Sequence, residues 1–449
     1  MTRHLTLVGS FASHGSQLGQ DLLGGGKGAG LVFAVDQLPV RFDVENPSSS
    51  FDQLRLNAYG LPDRGRQTDG LRLIVSHGAV RDGNGHGGNL FPNYGTGGEV
   101  VEPLTTGRFG ARFSTAPERW WKMPTTQAVV FHEFGSPAKV ASFERVELPE
   151  PGTDEVVVRM HAAPIHPADL NRLEGRYGEK PDLPSIGGIE GCGEVESVGC
   201  GVTGIVAGDC VALAYLGTWA ERVVVAANRL VPLPAGIDDG LAAMLILNPA
   251  TAWRMLHDFV DLQQGEWVIL NAANSSVGRC AIEIARAKGW RSLAVVRRSE
   301  LIDELQALGA DSVCLDDDSL GGRIKAVTDN APIRLALNAV GGASALRLAN
   351  ALAPGGTVVT YGAMGRQALQ MPNGLLIFKD LRFRGFWVTQ WFRHAGAEET
   401  QAMMKSICEL AAKGVLTAQV AATFALSDSA KALEAAAGDR RGGKILFRM

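Results

Sequence analysis

No run of about eighteen apolar residues occurs anywhere in the 449-residue chain, so no segment is expected to cross a bilayer as a helix. A surplus of positive charge is also missing. The formal net charge is −4, which argues against a protein that binds nucleic acid by broad phosphate neutralisation. The first residues do not show the basic, apolar and small-residue succession of a secretory signal. Residues 1–20 hold no acid but only one arginine, Arg3, so a mitochondrial transit peptide has slight support. Cysteine is sparse. Cys192, Cys200, Cys210, Cys280, Cys314 and Cys408 are scattered without secretory context, a pattern of reduced thiols in a cytosol-like compartment. The apolar fraction of 46% and charged fraction of 20% are ordinary for a globular chain, and the length allows two or three cores.

Residues 1–122 and 123–449 have unlike textures. The first stretch has glycine clusters, Gly24-Gly25-Gly26 and Gly83 to Gly88, and apolar runs such as Leu71-Arg72-Leu73-Ile74-Val75 that nothing organises. His77 and His86 stand among those glycines and read as loop residues rather than metal ligands. Met123-Pro124-Thr125-Thr126-Gln127-Ala128-Val129-Val130-Phe131 then reads as a protein start running straight into a strand. The expectation is that translation begins at Met123, with 1–122 a wrongly assigned extension or a disordered appendage. Short strands dominate up to about residue 247, among them Glu155 to Met160 and the alternating Gly193 to Gly199. After about residue 250 strands and helices alternate, which predicts a parallel α/β sheet.

Trp267-Val268-Ile269-Leu270 is wholly apolar, as a parallel strand covered by helices on both faces must be. The turn Asn271 to Gly278 follows, then a predicted helix with Ala281, Ile282 and Ala285 on one face, then a strand over Leu293 to Val296. This is a βαβ unit of about 30 residues, the size of a dinucleotide-binding unit. Its glycine fingerprint is imperfect, with Ala273 and Ser276 at the early glycine positions and only Gly278 in its usual place. Asn274, Ser275 and Ser276 still offer donors to a pyrophosphate at the helix N-terminus. The second strand runs into Arg297-Arg298-Ser299. An acid at this point would bond ribose hydroxyls and repel a 2′-phosphate, whereas guanidinium groups meet that phosphate in bidentate fashion. The expected cofactor is therefore NADPH rather than NADH. Strands over Ser312–Leu315, Leu335–Val340 and Thr357–Tyr361 extend the sheet. Gly341-Gly342 and Tyr361 to Met364 fall at carboxyl ends of strands, where a doubly wound sheet binds its ligand.

Zinc dehydrogenases also join a β-rich domain to a nucleotide domain, and they hold a catalytic metal on thiolate and imidazole ligands. Here Ala163-Pro164-Ile165-His166-Pro167-Ala168-Asp169-Leu170 has no cysteine where those enzymes place one. Gly188-Ile189-Glu190-Gly191 has isoleucine where they place histidine. Cys192, Cys200 and Cys210 are too few and too far apart for a four-cysteine structural site, and read as small core residues. No metal is expected, which favours chemistry that needs only hydride and a hydrogen-bond donor.

Several segments together carry a family likeness. They are Ile165 to Asn171 leading to Gly175-Arg176-Tyr177, Gly217-Thr218-Trp219-Ala220-Glu221, Asn248-Pro249-Ala250-Thr251-Ala252 and Asn271 to Ser275. Thr360 to Met364 and Leu376-Ile377-Phe378-Lys379-Asp380 running into Arg384 to Trp391 complete the set. From about residue 128 to 449 the chain resembles the medium-chain dehydrogenase/reductases, and within them the zinc-independent 2-enoyl thioester reductases. The resemblance implies an α/β fold, a GroES-like β-rich catalytic domain (123–247 and 392–449) joined to a doubly wound Rossmann domain (248–391). It implies Tyr177 as the catalytic tyrosine. It further implies NADPH contacts from Asn248, Asn274, Ser275, Ser276, Val277, Arg297, Arg298, Ser299, Tyr361, Gly362, Ala363, Met364, Phe386, Trp387, Val388 and Lys444. Two positions depart from the family pattern. Ser276 stands where glycine is frequent, and Arg298-Ser299 replaces an acid-then-arginine pair common in eukaryotic members.

The implied reaction is NADPH-dependent reduction of the double bond of trans-2-enoyl thioesters on coenzyme A or acyl carrier protein, as in fatty-acid synthesis, by a homodimer. Tyr177 would donate to the developing enolate oxygen or to Cα. Trp387 and Trp391 would either wall an apolar acyl channel or be core aromatics. Two rival readings stand beside this one: a quinone or enone reductase of the same superfamily, and a non-catalytic NADPH-binding protein. Abundant alanine, glycine and arginine suggest a bacterial source and a cytoplasmic location, with the mitochondrial matrix as the counterpart in a eukaryote.

Overall fold

The computed structural model describes residues 31–35, 38–44, 56–59, 124–438 and 441–449. The expectations for Met123, for Leu71 to Val75 and for His77 and His86 lie outside the described residues. The chain divides into two units, Met1–Ala111 and Arg112–Met449. In the first, β1 (Leu31–Val35), β2 (Leu38–Val44) and β3 (Leu56–Tyr59) pair antiparallel in that order.

The second unit opens with a β-rich half. In chain order it holds β4 (Thr125–Phe131), α1 (Pro137–Val140), β5 (Ala141–Glu147), β6 (Glu155–Pro164), α2 (Pro167–Leu173) and β7 (Ser185–Ile186). It continues with β8 (Gly191–Val198), β9 (Cys210–Leu213), β10 (Arg222–Ala226), β11 (Leu230–Pro232) and α3 (Asp239–Ala242). The organising strand is β6. Its alternate residues Val156, Val158 and Met160 enter a core with Val195, Val211 and Leu213, as a period of two requires. It also runs four residues past its expected end at Met160, because a strand from the chain's C-terminus pairs with the extension, Leu446 opposite Pro164.

The nucleotide half follows with α4 (Leu247–His257), β12 (Trp267–Asn271), α5 (Ser276–Lys288), β13 (Arg291–Val296), α6 (Ile302–Leu308) and β14 (Ser312–Leu315). Next come α7 (Leu320–Thr328), β15 (Ile333–Asn338), α8 (Gly342–Ala351), β16 (Thr357–Thr360), α9 (Asn373–Ile377) and β17 (Arg382–Gly385). The six strands are all parallel in the order β14-β13-β12-β15-β16-β17. That is the doubly wound order in which the direction of winding reverses between β12 and β15, opening a crevice at their carboxyl ends. Every residue of β12 is buried, and each such apolar side chain contributes roughly 1.5–3 kcal/mol. Gly278 on α5 answers to the same packing: a Cβ there would lie 2.5 Å from the carbonyl oxygen of Ala273.

The chain ends with α10 (Val388–His394), α11 (Ala397–Ala412), β18 (Val420–Ala425), α12 (Ser429–Ala437) and β19 (Lys444–Arg448). The last two strands complete a seven-stranded sheet with β6, β8, β9, β10 and β11. The expected boundary at 391/392 falls inside α10. Moreover, α11 buries Met403, Met404 and Ile407 in the core that holds α4 and α5. The return to the β-rich half therefore comes near β18. The cysteine expectation also needs correction: Cys192 is buried, but Cys200 and Cys210 are exposed, because they sit on a turn and at a strand start rather than in a core layer.

Candidate active site

At the crevice, Ser275 caps α5, its hydroxyl accepting from the Gly278 N–H at 3.1 Å. Ser276 and Val277 form the first turn beside it, half-buried, and Asn274 is exposed at the lip. Below them Asn271 is fully buried. Its side chain donates to Asn338 Oδ1 and Ser344 Oγ, both at 2.9 Å, and accepts from the Ala339 N–H at 2.8 Å. Asn338 in turn donates to Thr360 Oγ1 at 3.1 Å. The carboxyl ends of β12, β15 and β16 are thus fastened together by amides, a structural net that sequence reading passes over as a turn and strand ends. Arg297 and Ser299 are exposed past β13, and Arg298 lies 3.6 Å from Glu300. Tyr361 to Met364 follow β16, with the Tyr361 N–H on Asn338 O and the Met364 N–H on Ala339 O.

Across the seam, Tyr177 comes from the loop after α2. Its hydroxyl oxygen accepts from Trp387 Nε1 at 2.9 Å, and the two rings meet edge-on with centroids 5.9 Å apart. Glu179 and Arg393 form a two-armed ion pair beside them, both contacts 2.6 Å. Gly178 between these residues sits at φ +43, and a Cβ there would lie 2.7 Å from the Trp387 ring. Burial raises the Tyr177 hydroxyl above its ordinary value of 10.0, with the Trp387 hydrogen bond opposing. The phenol therefore stays protonated at neutral pH. With Trp387 filling its acceptor side, its single proton is left to donate.

Lys444 and Asn248 lie buried where the two halves meet. Lys444 Nζ is 3.3 Å from His166 Nδ1, and His166 Nε2 is 2.8 Å from Glu190 Oε2. Glu190 Oε1 accepts the N–H groups of Ile246 and Leu247, each at 2.7 Å, immediately before Asn248. Neither His166 nor Glu190 was singled out as a site residue from sequence. Their partners lie 24 to 278 positions away.

Phe386, Trp387 and Trp391 line an open cleft of about 540 Å³, together with Asp258, Arg382, Arg384 and Glu399. Neither Tyr177 nor the nucleotide turn lines it. Its charged walls differ from the apolar channel expected around the two tryptophans. Trp391 packs against the nucleotide-half core, and one face of its ring carries Arg254 at 4.4 Å rather than an apolar wall. Among the described residues no group of three or more His, Cys, Asp or Glu side chains is placed to hold a metal ion.

Residues 152–235 match the family model described as alcohol dehydrogenase GroES-like domain, and residues 276–408 match the one described as zinc-binding dehydrogenase. The enoyl-[acyl-carrier-protein] reductase, mitochondrial, of Homo sapiens is 43% identical over 316 residues, 69% of this chain and 85% of that protein. The chain belongs to the enoyl-[acyl-carrier-protein] reductase family of medium-chain dehydrogenase/reductases. Two solved structures show how the reductase fold extends. The Etr1p/NADP/crotonyl-CoA complex is 27% identical with a TM-score of 0.66, covering 73% of this chain and 100% of its own. A Pseudomonas syringae pv. Tomato quinone oxidoreductase is 28% identical with a TM-score of 0.65, covering 72% and 100%.

The residues of this family member fit a nicotinamide dinucleotide. Asn248 Nδ2 is buried at the crevice without a hydrogen-bond partner among the described residues, a state that costs about 1–3 kcal/mol unless a ligand answers it, and the buried Tyr361 hydroxyl faces Ser275 beside it. A capped helix N-terminus with closely packed Gly278 faces the same crevice.

Proposed function

We propose that the chain uses NADPH to reduce the α,β double bond of trans-2-enoyl thioesters carried on coenzyme A or acyl carrier protein. The observation that carries this reading is the buried Tyr177 hydroxyl, held by Trp387 at the seam between the nucleotide half and the β-rich half. Bound at the crevice, NADPH supplies the hydride that reaches Cβ of the substrate. Negative charge then grows on the thioester oxygen, and a fixed donor aimed at it lowers the barrier by about 3 kcal/mol. Tyr177 is that donor, because burial keeps its proton on, and delivery of a proton to Cα of the enolate completes the saturated thioester. The capping Ser275 and the first N–H groups of α5 receive the pyrophosphate. Arg297, Arg298 and Ser299 receive the 2′-phosphate, where an acid would repel it. Asn248, Tyr361 and Lys444 complete the bed beneath.

Two chains are expected to assemble as a dimer; among the described residues the six-stranded sheet leaves two edge strands, β14 and β17, each paired on one side only. The human relative is named as mitochondrial, which supports a matrix location for this chain in a eukaryotic source; a cytoplasmic one is expected in a bacterium. Among the described residues no helix is long and apolar enough to cross a membrane. The test is NADPH oxidation by the full chain with crotonyl-CoA, a longer trans-2-enoyl-CoA and a quinone in parallel. Thioester turnover supports the reading. Quinone turnover with silent thioesters moves the chain to the reaction named for the Pseudomonas neighbour.

A further inference from the structure

Glu190 lies just before β8 and is completely buried. Burying a carboxylate costs several kcal/mol unless charge and hydrogen bonds answer it, and here its two oxygens are answered by groups from different elements. Oε1 takes the N–H groups of Ile246 and Leu247 at the head of α4. Oε2 faces His166 Nε2 at 2.8 Å, and the far side of that imidazole faces Lys444 Nζ at 3.3 Å. A lysine ammonium has three donors and no acceptor. With Lys444 charged, His166 Nδ1 must accept from it, which leaves the ring proton on Nε2, pointing at Glu190. The chain of contacts therefore has one consistent proton arrangement: ammonium to imidazole, imidazole to carboxylate.

We propose that Glu190 and His166 are positioning residues that set the two cofactor contacts nearest the seam, Asn248 through the backbone of α4 and Lys444 through the imidazole. This rests on the NADPH reading above. Asn248 belongs to the nucleotide half and Lys444 opens β19 in the β-rich sheet. One carboxylate thus fixes the relative placement of two groups contributed by opposite halves. A residue that only capped α4 would need no imidazole on its other oxygen, and a residue that only neutralised Lys444 would touch it directly.

The surroundings of Lys444 make the arrangement readable in solution. The groups facing it are His166 and Asp169 from the start of α2, Glu190 before β8, Cys280 on α5 and Arg441 before β19. Burial, and then Arg441, hold the ammonium down to about 8, while Glu190 and then Asp169 push it back up. The sign follows directly. A lysine lowered to this range is charged below pH 8 and neutral above it, so affinity for a polyanionic dinucleotide falls as pH rises through about 8. Removing the Glu190 charge lowers the ammonium further, and the fall must then come at lower pH.

The experiment is NADPH binding to the full chain by fluorescence titration from pH 6 to 9.5, with thioester turnover measured on the same samples. Glu190→Gln removes the charge and sets an amide NH2 against one of the two donor sets, the Nε2 proton or the Ile246 and Leu247 N–H groups. At pH 7 it should weaken NADPH binding about tenfold, the equivalent of one charge-assisted hydrogen bond. The midpoint of the pH-dependent fall should move down by about one unit. The kinetic loss should fall on KM for NADPH more than on kcat. Glu190→Asp, which keeps the charge, should restore the wild-type midpoint. His166→Gln cuts the link to Lys444 while leaving the α4 cap. It should reproduce the shifted midpoint and decides the matter if Glu190→Gln does not fold. Wild-type affinity and midpoint in these variants, in a protein that turns over thioesters, overturn the positioning role alone. A shifted midpoint in a protein silent toward every enoyl thioester supports the positioning role and overturns the enoyl reading alone.

Discussion

The indole N–H of Trp387 donates to the hydroxyl oxygen of Tyr177 at 2.9 Å, joining residues 210 positions apart in sequence. The bond turns a loop tyrosine into a fixed one. Trp387→Phe keeps a ring at the site and removes the donor. One neutral hydrogen bond is worth about 1 kcal/mol, so kcat should fall roughly fivefold to tenfold, with NADPH affinity changed less than kcat. Steady-state kinetics with crotonyl-CoA check this, and an unchanged kcat would remove Trp387 from the positioning of Tyr177.

Gly178 offers a steric version of the same test. A Cβ at this residue meets the Trp387 ring at 2.7 Å, and its φ of +43 disfavours any side chain. Gly178→Ala should therefore push Trp387 away from Tyr177 and cost about 1 kcal/mol or more of stability. Turnover should drop with it, at least as far as in Trp387→Phe. Thermal unfolding and kinetics on one preparation separate the two effects.

Cofactor choice should turn on the residues after β13. Arg297 and Ser299 are exposed there, and Arg298 lies 3.6 Å from Glu300. Arg298→Asp puts an acid where a 2′-phosphate is expected. The kcat/KM for NADPH should fall about a hundredfold, the equivalent of one strong ionic hydrogen bond turned repulsive. The value for NADH should stay the same or rise. Equal losses with both cofactors would place the 2′-phosphate elsewhere.

Glu283 on α5 gives the fold its own pH signature. Burial pushes its carboxyl up to about 7, against the hydrogen bond donated by the Thr417 hydroxyl. Its other oxygen is buried without a partner among the described residues. The folded value lies above the unfolded value of 4.5, so the folded state holds a proton that the unfolded state releases. The contribution of this group is fully present below pH 4.5 and is lost as pH rises through about 7. Glu283→Gln keeps an acceptor for Thr417 and carries no charge. Its melting temperature should exceed that of the wild type by several degrees at pH 8 and match it near pH 4.5.

The nucleotide half was the more legible part of the sequence. The strand expected over Ser312–Leu315 is β14 to the residue, and Trp267 to Leu270 falls short of β12 by one. Buried parallel strands must be apolar throughout, and that constraint is local. The β-rich half hides its ends because long-range pairing sets them. β6 runs to Pro164 only because β19 lies beside it. The site was legible as a set of residues but not as an arrangement. Sequence offered Tyr177, Trp387 and Lys444 separately, and nothing in it joined Tyr177 to Trp387 or Lys444 to His166. Glu190 stood in a segment read only for its missing zinc ligand, because a lone acid in a glycine-rich turn looks the same whether it is solvated or buried. Cys200 and Cys210 misled for the same reason: burial at a strand end depends on what covers it.

The most direct measurement compares wild type and Tyr177→Phe in the full chain, following NADPH oxidation with crotonyl-CoA and NADPH binding side by side. The account predicts that kcat falls by about two orders of magnitude, the loss of a preorganised donor, while the Kd for NADPH stays within about twofold. A variant that turns over crotonyl-CoA at the wild-type rate would contradict it, and would leave the Tyr177 hydroxyl without a part in the reaction.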